Sequence, residues 1–313
     1  LIDDGSTDSS PEIAKEYEKN YPTLFRYVRE ENKGLGGARN TGIELSNSEY
    51  TMFFDSDDFM GNKTIESIIK SIKLANQSDD VIMFNPVVFD MVSRSYYEWH
   101  DVMVMKKIFK NSAVTNIKES PLLMATEASV CRSVWRTTFI KDFPYRFFEH
   151  TAWEDVPIHC LWLHNAKSVR FIEYPNAYYY RINSGKQITS GSGKSRLDIY
   201  KVFKYIFDLA KTEKWPKVEQ AYIMKMFNGF VFWTLKVIDN EYRIQVVDLL
   251  RKIYKDIPRS IIRKFFRQSK PLLRDKLMTI FFKNRFLYKK MYSEFTVAKY
   301  MKLFKKIKRI FGK

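Results

Sequence analysis

The chain has 313 residues, 45% of them hydrophobic, and carries a formal net charge of +17. This length and composition exclude disorder as the default and favour a globular protein. Neither Cys131 nor Cys160 belongs to a CxxC pattern, so the cysteines fit a reducing compartment and exclude a disulfide framework or a cysteine-based zinc site. The longest apolar candidate for a membrane span, 230–238, is interrupted by Lys236 and is shorter than about 18 residues.

The first residues have the pattern of a strand that leads directly into a helix. Leu1 and Ile2 are apolar like the end of a strand, and the chain does not begin with Met, so we expect a fragment that lacks its first strand. The stretch Ser9-Ser10-Pro11-Glu12 predicts a helix start, because proline and acidic residues suit the first helical turn.

Strand-like and helix-like patterns alternate over the next 80 residues. Strands are predicted over 25–28, 50–54 and 81–89, and helices over 36–45 and 63–74. This alternation is typical of an α/β fold, whose parallel strands place loops at their carboxyl ends, where open sheets bind ligands. We therefore expect the loops 3–6, 34–40 and 55–58 to meet.

Three carboxylates, Asp55, Asp57 and Asp58, follow the predicted strand 50–54. They would repel one another unless a divalent cation lay among them, since hard cations prefer oxygen ligands and can bridge to a diphosphate. If the strand continued, Asp55 and Asp57 would face the same side, whereas Asp58 would turn away or cap the next segment. A solvated turn with helix capping is the alternative.

The loop 34–40 reads Gly-Leu-Gly-Gly-Ala-Arg-Asn. Arg39 occupies the place of the third glycine of a dinucleotide fingerprint, so the pattern does not favour hydride transfer. Its glycines would let the backbone approach a phosphate at a helix N-terminus, where Arg39 could bind diphosphate oxygens. A glycine-rich turn with a surface arginine is the alternative.

Four segments in this order resemble the bacterial family 2 glycosyltransferases over residues 1 to about 190. They are Asp3-Asp4-Gly5-Ser6-Thr7-Asp8, 34–42, Asp55-Ser56-Asp57-Asp58 and Trp153-Glu154-Asp155. The resemblance implies the GT-A fold, a Rossmann-like mixed sheet with flanking helices of nucleotide-diphospho-sugar transferases, over 1–194. The helical, basic region 195–313 would follow it, and the first strand with its helix would be missing.

The resemblance also implies a role for each matching residue. Asp4, supported by Asp3, would bind the base of a nucleotide, uracil, and Arg39 would approach its phosphates. Asp55 and Asp57 match the DxD motif that holds Mn²⁺ or Mg²⁺, with Asp57 as the direct ligand. Asp155 would be the catalytic base beside Glu154. The stretch from Tyr178 to Arg181, followed by Gln187, Ile188 and Thr189, resembles a loop that folds over the donor.

The chemistry of sugar transfer requires the same groups. A cation and Arg39 can stabilise a leaving diphosphate. Asp155 begins a predicted helix whose N-terminus would keep it ionised as the base, although an acidic first helical turn is the alternative. One base without a second nucleophilic carboxylate implies a single displacement, which inverts the configuration at the anomeric carbon.

His159, one helical turn after Asp155, could support metal binding. The alternative is a histidine that packs or forms hydrogen bonds in the core.

The positive charge is concentrated in residues 251–313, which contain 21 Lys and Arg against three acidic residues. Val297, Tyr300, Phe304, Ile307 and Phe311 form an apolar stripe at helical spacing there, and a basic amphipathic helix is typical of a membrane-surface element. Nucleic acid is a competing partner, but no recognised module accompanies the basic cluster. A solvated or oligomer-forming bundle is the third possibility.

Together these features predict an inverting, metal-dependent glycosyltransferase that is cytoplasmic and peripheral on the inner face of the cell membrane. It would move a hexosyl or N-acetylhexosaminyl group from a UDP donor to a surface polysaccharide or lipid-linked glycan, and we expect no nucleic-acid partner. The alternative is a non-enzymatic scaffold that binds anionic lipid or polymer through 251–313.

Overall fold

The structure is a computed structural model that describes residues 1–74, 78–173, 178–185, 191–269 and 271–284. The chain divides into two compact units, Leu1–Gly191 and Ser192–Lys313. The predicted donor-loop residues Gln187, Ile188 and Thr189 and the predicted apolar stripe from Val297 to Phe311 lie outside the described residues.

The first unit begins with a parallel pair of short strands and two helices. Their order is β1 (Ile2–Asp3), α1 (Ser10–Asn20), β2 (Val28–Arg29) and α2 (Gly34–Leu45). Ile2 lies opposite Val28 in the parallel pair. Helix α1 begins where the sequence predicts, with Pro11 in its first turn, where a missing N–H costs no helical hydrogen bond.

Two mixed sheets and their helices make up the rest of this unit. The elements are β3 (Tyr50–Met52), β4 (Phe59–Met60), α3 (Thr64–Leu74), β5 (Val81–Phe84), β6 (Val87–Asp90), β7 (Ser95–Glu98), α4 (Val102–Ile108), β8 (Val114–Thr115), β9 (Ser133–Arg136), α5 (Thr137–Lys141), α6 (Asp155–Asn165), β10 (Val169–Ile172) and β11 (Tyr178–Ile182). The sheet orders are β3-β9-β5-β10-β8 and β4-β11-β6-β7. Strand β9 is antiparallel to both β3 and β5. The carboxyl ends of β3 and β5 and the start of β9 therefore share one sheet edge.

The single strand predicted over 81–89 is wrong. The structure divides it into β5 and β6, which belong to different sheets. Asn85 and Pro86 separate the two strands. Because proline has no N–H to donate to a strand ladder, the pairing of β5 ends before Pro86.

Helix α6 forms the centre of the core of the first unit. Its residues from Val156 to Leu163 are all buried, and Trp162 packs against Trp135 with ring centroids 4.6 Å apart. A helix that is apolar on all faces is stable only when its neighbours surround it. Asp155, the first residue of α6, is therefore attached to a rigid element.

The second unit is helical, as the sequence predicts for the region after about residue 195. A short 3₁₀ helix, Lys194–Leu197, precedes α7 (Asp198–Thr212), α8 (Lys217–Val237), α9 (Asn240–Asp256), α10 (Arg259–Gln268) and α11 (Leu273–Lys283). Helix α8 packs against α10 and α11, and α9 packs against α7 and α11. Within the described part of the chain, no helix combines the length and the apolar character that crossing a membrane requires.

Candidate active site

Arg39 on α2 joins two carboxylates that are distant in sequence. Its Nη2 donates to Asp55 Oδ1 at 3.0 Å, and its Nη1 donates to Glu154 Oε1. The residue is only 8% exposed, and pairing with two carboxylates offsets the cost of burying its charge. The alternative of a surface arginine is therefore wrong. Arg39 connects the acidic turn after β3 to the start of α6, and its contact with a diphosphate stays a prediction.

The glycines of α2 bring this helix against the segment 147–150. A Cβ on Gly36 would lie 2.2 Å from the Phe148 carbonyl oxygen, so no larger residue fits there without a backbone shift. Asn40 fixes the same contact, because its Nδ2 donates to Phe147 O at 3.0 Å and its Oδ1 accepts from Phe147 N at 2.9 Å. We expected these glycines to admit a phosphate, and the structure gives Gly36 a packing role that the sequence did not predict.

The acidic residues after β3 form a turn and do not continue the strand. Strand β3 ends at Met52, and the Asp58 N–H donates to Asp55 O at 3.1 Å. Asp55 faces Arg39, whereas Asp57 is exposed. A turn therefore replaces the continued strand on which the prediction of a common side rested.

Asp58 fastens this turn to β11. Its carboxylate accepts hydrogen bonds from the Tyr178 hydroxyl and, at 2.8 Å, from the Arg181 N–H. The Arg181 side chain also donates from Nε to Asp57 O. Burial raises the pKa of Asp58 to about 6. Asp58 therefore anchors the turn to β11 and does not cap the segment that follows it. Arg181 lies beside Asp57, the predicted metal ligand.

The first acidic loop is joined to the residue before α2. Asp4 Oδ1 accepts the Lys33 N–H at 2.6 Å. Asp3 is buried and accepts from Tyr27 Oη at 2.6 Å and from Ser6 N at 2.7 Å. These hydrogen bonds, that from Tyr27 first, lower the pKa of Asp3 to about 2. The loop 3–6 is therefore bonded to the residue that precedes α2. The prediction of a loop over 34–40 is wrong, because these residues form the first turns of α2, where Arg39 reaches the acidic turn after β3.

The predicted base is the first residue of a buried helix. Asp155 is partly exposed, and Trp153 before it has φ of 66°, a conformation that bulky residues rarely adopt. Burial, followed by the negative charge of Glu154, raises the pKa of Asp155 well above its usual value. We expected the helix N-terminus to favour the ionised form of Asp155, and burial and the like charge of Glu154 act in the opposite direction. A raised pKa makes the carboxylate a stronger base.

His159 packs inside the core, as the alternative in the sequence analysis expected. Its Nε2 lies 3.4 Å from Thr126 Oγ1, and burial lowers its pKa to about 3. Among the residues that the structure describes, no group of three or more His, Cys, Asp or Glu side chains could hold a metal ion.

A second buried ion pair, which the sequence did not reveal, lies at the same sheet edge. The Arg132 side chain is fully buried and binds Asp101 Oδ2 at 2.6 Å and Asn85 Oδ1 at 3.0 Å. The preceding residue, Cys131, has its Sγ 3.6 Å from Arg39 Nη2. No local pattern signals this pair, because its members are 31 residues apart.

Comparison with known proteins shows that the first part of the chain is similar to one family. Residues 1–139 match the model of glycosyl transferase family 2. The putative glycosyltransferase EpsH of Bacillus subtilis is 38% identical over 85 residues, which cover 27% of this chain and 24% of EpsH. The teichoic acid poly(glycerol phosphate) polymerase of Staphylococcus epidermidis is 25% identical over 236 residues, which cover 73% of this chain and 30% of the polymerase. The chain spans less than a third of the length of these relatives.

The fold itself is similar to a crystal structure of S. aureus TarS 1–349 in complex with UDP-GlcNAc. The TM-score is 0.65 at 20% sequence identity, and the alignment covers 90% of this chain and 80% of the TarS chain. This similarity confirms the predicted GT-A fold with a helical C-terminal region.

Proposed function

We propose, from the match of residues 1–139 to the model of glycosyl transferase family 2, that the protein transfers a sugar from a nucleoside diphosphate donor to a hydroxyl group. The observation that carries this proposal is the position of Arg39, which binds Asp55 of the acidic turn and Glu154 beside the predicted base. The buried guanidinium of Arg39 thereby holds the acidic turn, on the leaving-group side, and Glu154, on the base side, in a fixed geometry. A displacement reaction requires such a geometry.

The donor is proposed to be a UDP-sugar. The similarity to a TarS structure in complex with UDP-GlcNAc supports this choice. Asp4 would bind the uracil base, because its carboxylate is fixed at the end of β1 by Lys33 and its loop is supported by Asp3. Arg181, beside the acidic turn, would contact the donor phosphates.

The acidic turn fits a divalent cation that is shared with the diphosphate. Mg²⁺ and Mn²⁺ sites of this kind use one or two carboxylates, and phosphate oxygens and water complete the coordination. Exposed Asp57 offers a carboxylate, with Asp55 behind it, while Asp58 is engaged by Tyr178 and Arg181. Asp57, with Asp55, would hold the ion, which supplies charge stabilisation to the leaving diphosphate when bound.

Asp155 would remove the proton from the acceptor hydroxyl. The hydroxyl oxygen then forms a bond to the anomeric carbon while the bond from that carbon to the phosphate oxygen breaks, and the electron pair leaves with the nucleoside diphosphate. One displacement inverts the anomeric centre. The raised pKa of Asp155, caused by burial and Glu154, suits this role because the carboxylate must hold the proton that it accepts.

The acceptor is proposed to be a surface polysaccharide or a lipid-linked glycan. The curated relatives support this class by their names, which include a teichoic acid polymerase and a poly(ribitol-phosphate) β-glucosyltransferase.

The test is hydrolysis and transfer of a panel of UDP-sugars, with Mn²⁺ present, by the wild-type chain and by Asp155→Asn. The substitution keeps the shape of the side chain and removes proton acceptance, so turnover should fall by a factor on the order of 10² to 10⁴ while donor affinity persists. A parallel collapse of donor affinity would make Asp155 a binding residue. A wild-type chain that bound anionic polymer but turned over no donor would support the scaffold alternative.

A further inference from the structure

The buried pair of Arg132 and Asp101 holds a loop in place beside the predicted base. Asp101 Oδ2, besides binding Arg132, accepts the Glu127 N–H at 2.9 Å. Arg132 Nε donates to Phe84 O at 3.3 Å, which attaches the pair to the end of β5. A fully desolvated charge with several hydrogen bonds forms a rigid support.

An exposed ion pair rests on this support. His100 Nε2 lies 2.8 Å from Glu127 Oε2, and the side chains are 63% and 33% exposed. The hydrogen bond to Glu127 raises the pKa of His100, which favours the charged imidazolium. The contact with His100 restrains the Glu127 carboxylate.

A contact of the neighbouring residue links this pair to α6, the helix that begins at Asp155. Thr126, next to Glu127, contacts His159, and His159 is one turn after Asp155 on α6. After burial, Glu154 and Arg39, the charge of Glu127 is the next influence on the pKa of Asp155.

Aromatic groups complete the surroundings of the pair. The Trp99 ring lies 5.2 Å from the His100 ring and 5.3 Å from the Tyr180 ring. Trp99 Nε1 is buried and has no hydrogen-bond partner among the residues that the structure describes. A buried N–H without an acceptor is unfavourable, and a bound hydroxyl oxygen would satisfy it.

We propose, resting on the proposed glycosyl transfer, that Glu127 held by His100 binds the acceptor. The carboxylate accepts a hydrogen bond from a hydroxyl that neighbours the hydroxyl deprotonated by Asp155. The acceptor class is therefore a sugar or polyol with vicinal hydroxyl groups. Carboxylates suit this task because they accept hydrogen bonds from hydroxyls in a fixed direction, and charged hydrogen bonds are the stronger ones.

The test measures transfer to glycerol, which has vicinal hydroxyls, relative to methanol, which has a single hydroxyl. Each is supplied with the UDP-sugar that the wild-type chain hydrolyses, and the glycoside formed is compared with the free sugar. We expect Glu127→Gln to lower the preference for glycerol over methanol about tenfold, the loss expected for one charged hydrogen bond. Because this preference is a ratio, a change in the pKa of Asp155 that alters transfer to both alcohols equally cancels from it. His100→Gln should act in the same direction.

Lys106→Gln is the matched control. Lys106 and Glu173 form another exposed pair of the same unit, 3.3 Å apart, so this change should leave the preference intact. An unchanged glycerol preference in Glu127→Gln overturns the proposal. So does an equal loss of hydrolysis and of transfer to both alcohols, because Glu127 would then act on the base or the fold. Failure of the wild-type chain to hydrolyse any donor would instead contradict glycosyl transfer itself.

Discussion

Arg39 makes the two halves of the candidate site depend on one side chain. It is bonded to Asp55, which belongs to the proposed metal turn, and to Glu154, which neighbours the proposed base. Loss of a single partner would leave the remaining charges buried and uncompensated. The free-energy cost of such an unpaired buried charge exceeds the net stabilisation that the intact pair provides. Substitutions at Asp55 or Glu154 therefore affect both halves, whereas Asp57 is exposed and can be tested alone.

Asp57→Asn should abolish turnover and weaken donor binding that depends on Mn²⁺. The amide keeps the size of the side chain but lacks the charge that holds a divalent cation. Titration of donor binding with and without Mn²⁺ measures this effect. Glu66→Gln, at an exposed acidic residue of α3, serves as the control. Unchanged Mn²⁺ dependence in Asp57→Asn would remove Asp57 from the metal site.

Glu154→Gln should move the acidic limb of the pH–rate profile to lower pH by about one unit. The negative charge of Glu154 raises the pKa of Asp155, and the substitution removes that charge. The base works only when it is ionised, so a lower pKa extends activity to more acidic conditions. The measurement is kcat against pH with a saturating donor. A limb that stayed in place would show that Asp155 is not the group that titrates.

At the residue scale, local motifs predict the charged residues of the site. They do not predict the distant residues that hold these side chains in position. Asp155 and Glu154 begin α6 as the sequence indicates. The anchoring of Asp58 depends on Tyr178, 120 residues away, and nothing in the stretch 55–58 signals that distant partner. Long-range pairing of this kind is a property of the folded chain.

At the scale of secondary-structure elements, the packing of α2 against 147–150 determines where Arg39 meets Glu154. Gly36→Ala should lower the free energy of unfolding by about 1–3 kcal/mol, since its methyl group would lie 2.2 Å from the Phe148 carbonyl oxygen and force a backbone shift. Donor turnover should fall with it, because α2 carries Arg39. Denaturant unfolding and the donor assay check both effects.

Gly42→Ala on the same helix is the control. A Cβ there would lie 4.0 Å from its nearest neighbour, Ile2 Cγ1, so the change should raise stability by about 0.5–1 kcal/mol through helix propensity. Equal effects of the two substitutions would contradict the packing role of Gly36.

Element types are easier to predict than strand partners. The helices from Ser10, Thr64 and Asp155 follow from capping and periodicity, as observed. The sequence analysis does not predict strand β9, which lies between β3 and β5 and directly follows Cys131 and Arg132. Four residues whose strand partners lie 50 or more positions away have little local signal.

At the scale of the whole molecule, the positive charge has two parts. Residues 251–284 contain 11 Lys and Arg against two acidic residues, and Arg259, Arg263 and Arg267 are exposed on α10. The remaining basic residues lie beyond Asn284, outside the described residues. We propose that this region holds the protein on the inner face of an anionic membrane.

Truncation after Lys290 should reduce co-sedimentation with anionic vesicles and leave hydrolysis of a soluble donor intact. Each basic residue near such a surface contributes about 1 kcal/mol, and the apolar stripe from Val297 to Phe311 would add buried area. Salt should weaken binding of the full chain.

Two results would contradict this proposal. Equal affinity of the full chain for neutral vesicles would show that charge is not the cause. Full-length protein that ignored anionic vesicles at low salt would exclude the membrane role. Loss of donor hydrolysis on truncation would show that the region beyond Lys290 contributes to the fold.

Cys131 and Arg132 are consecutive, yet one contacts Arg39 and the other binds Asp101. A mutation that displaces this dipeptide would disturb the donor side and the proposed acceptor side together. During divergence, a lineage that acquires a new acceptor while keeping its donor is therefore expected to vary at exposed positions such as His100 and to retain the dipeptide. Directed evolution of acceptor choice should randomise the same exposed positions first.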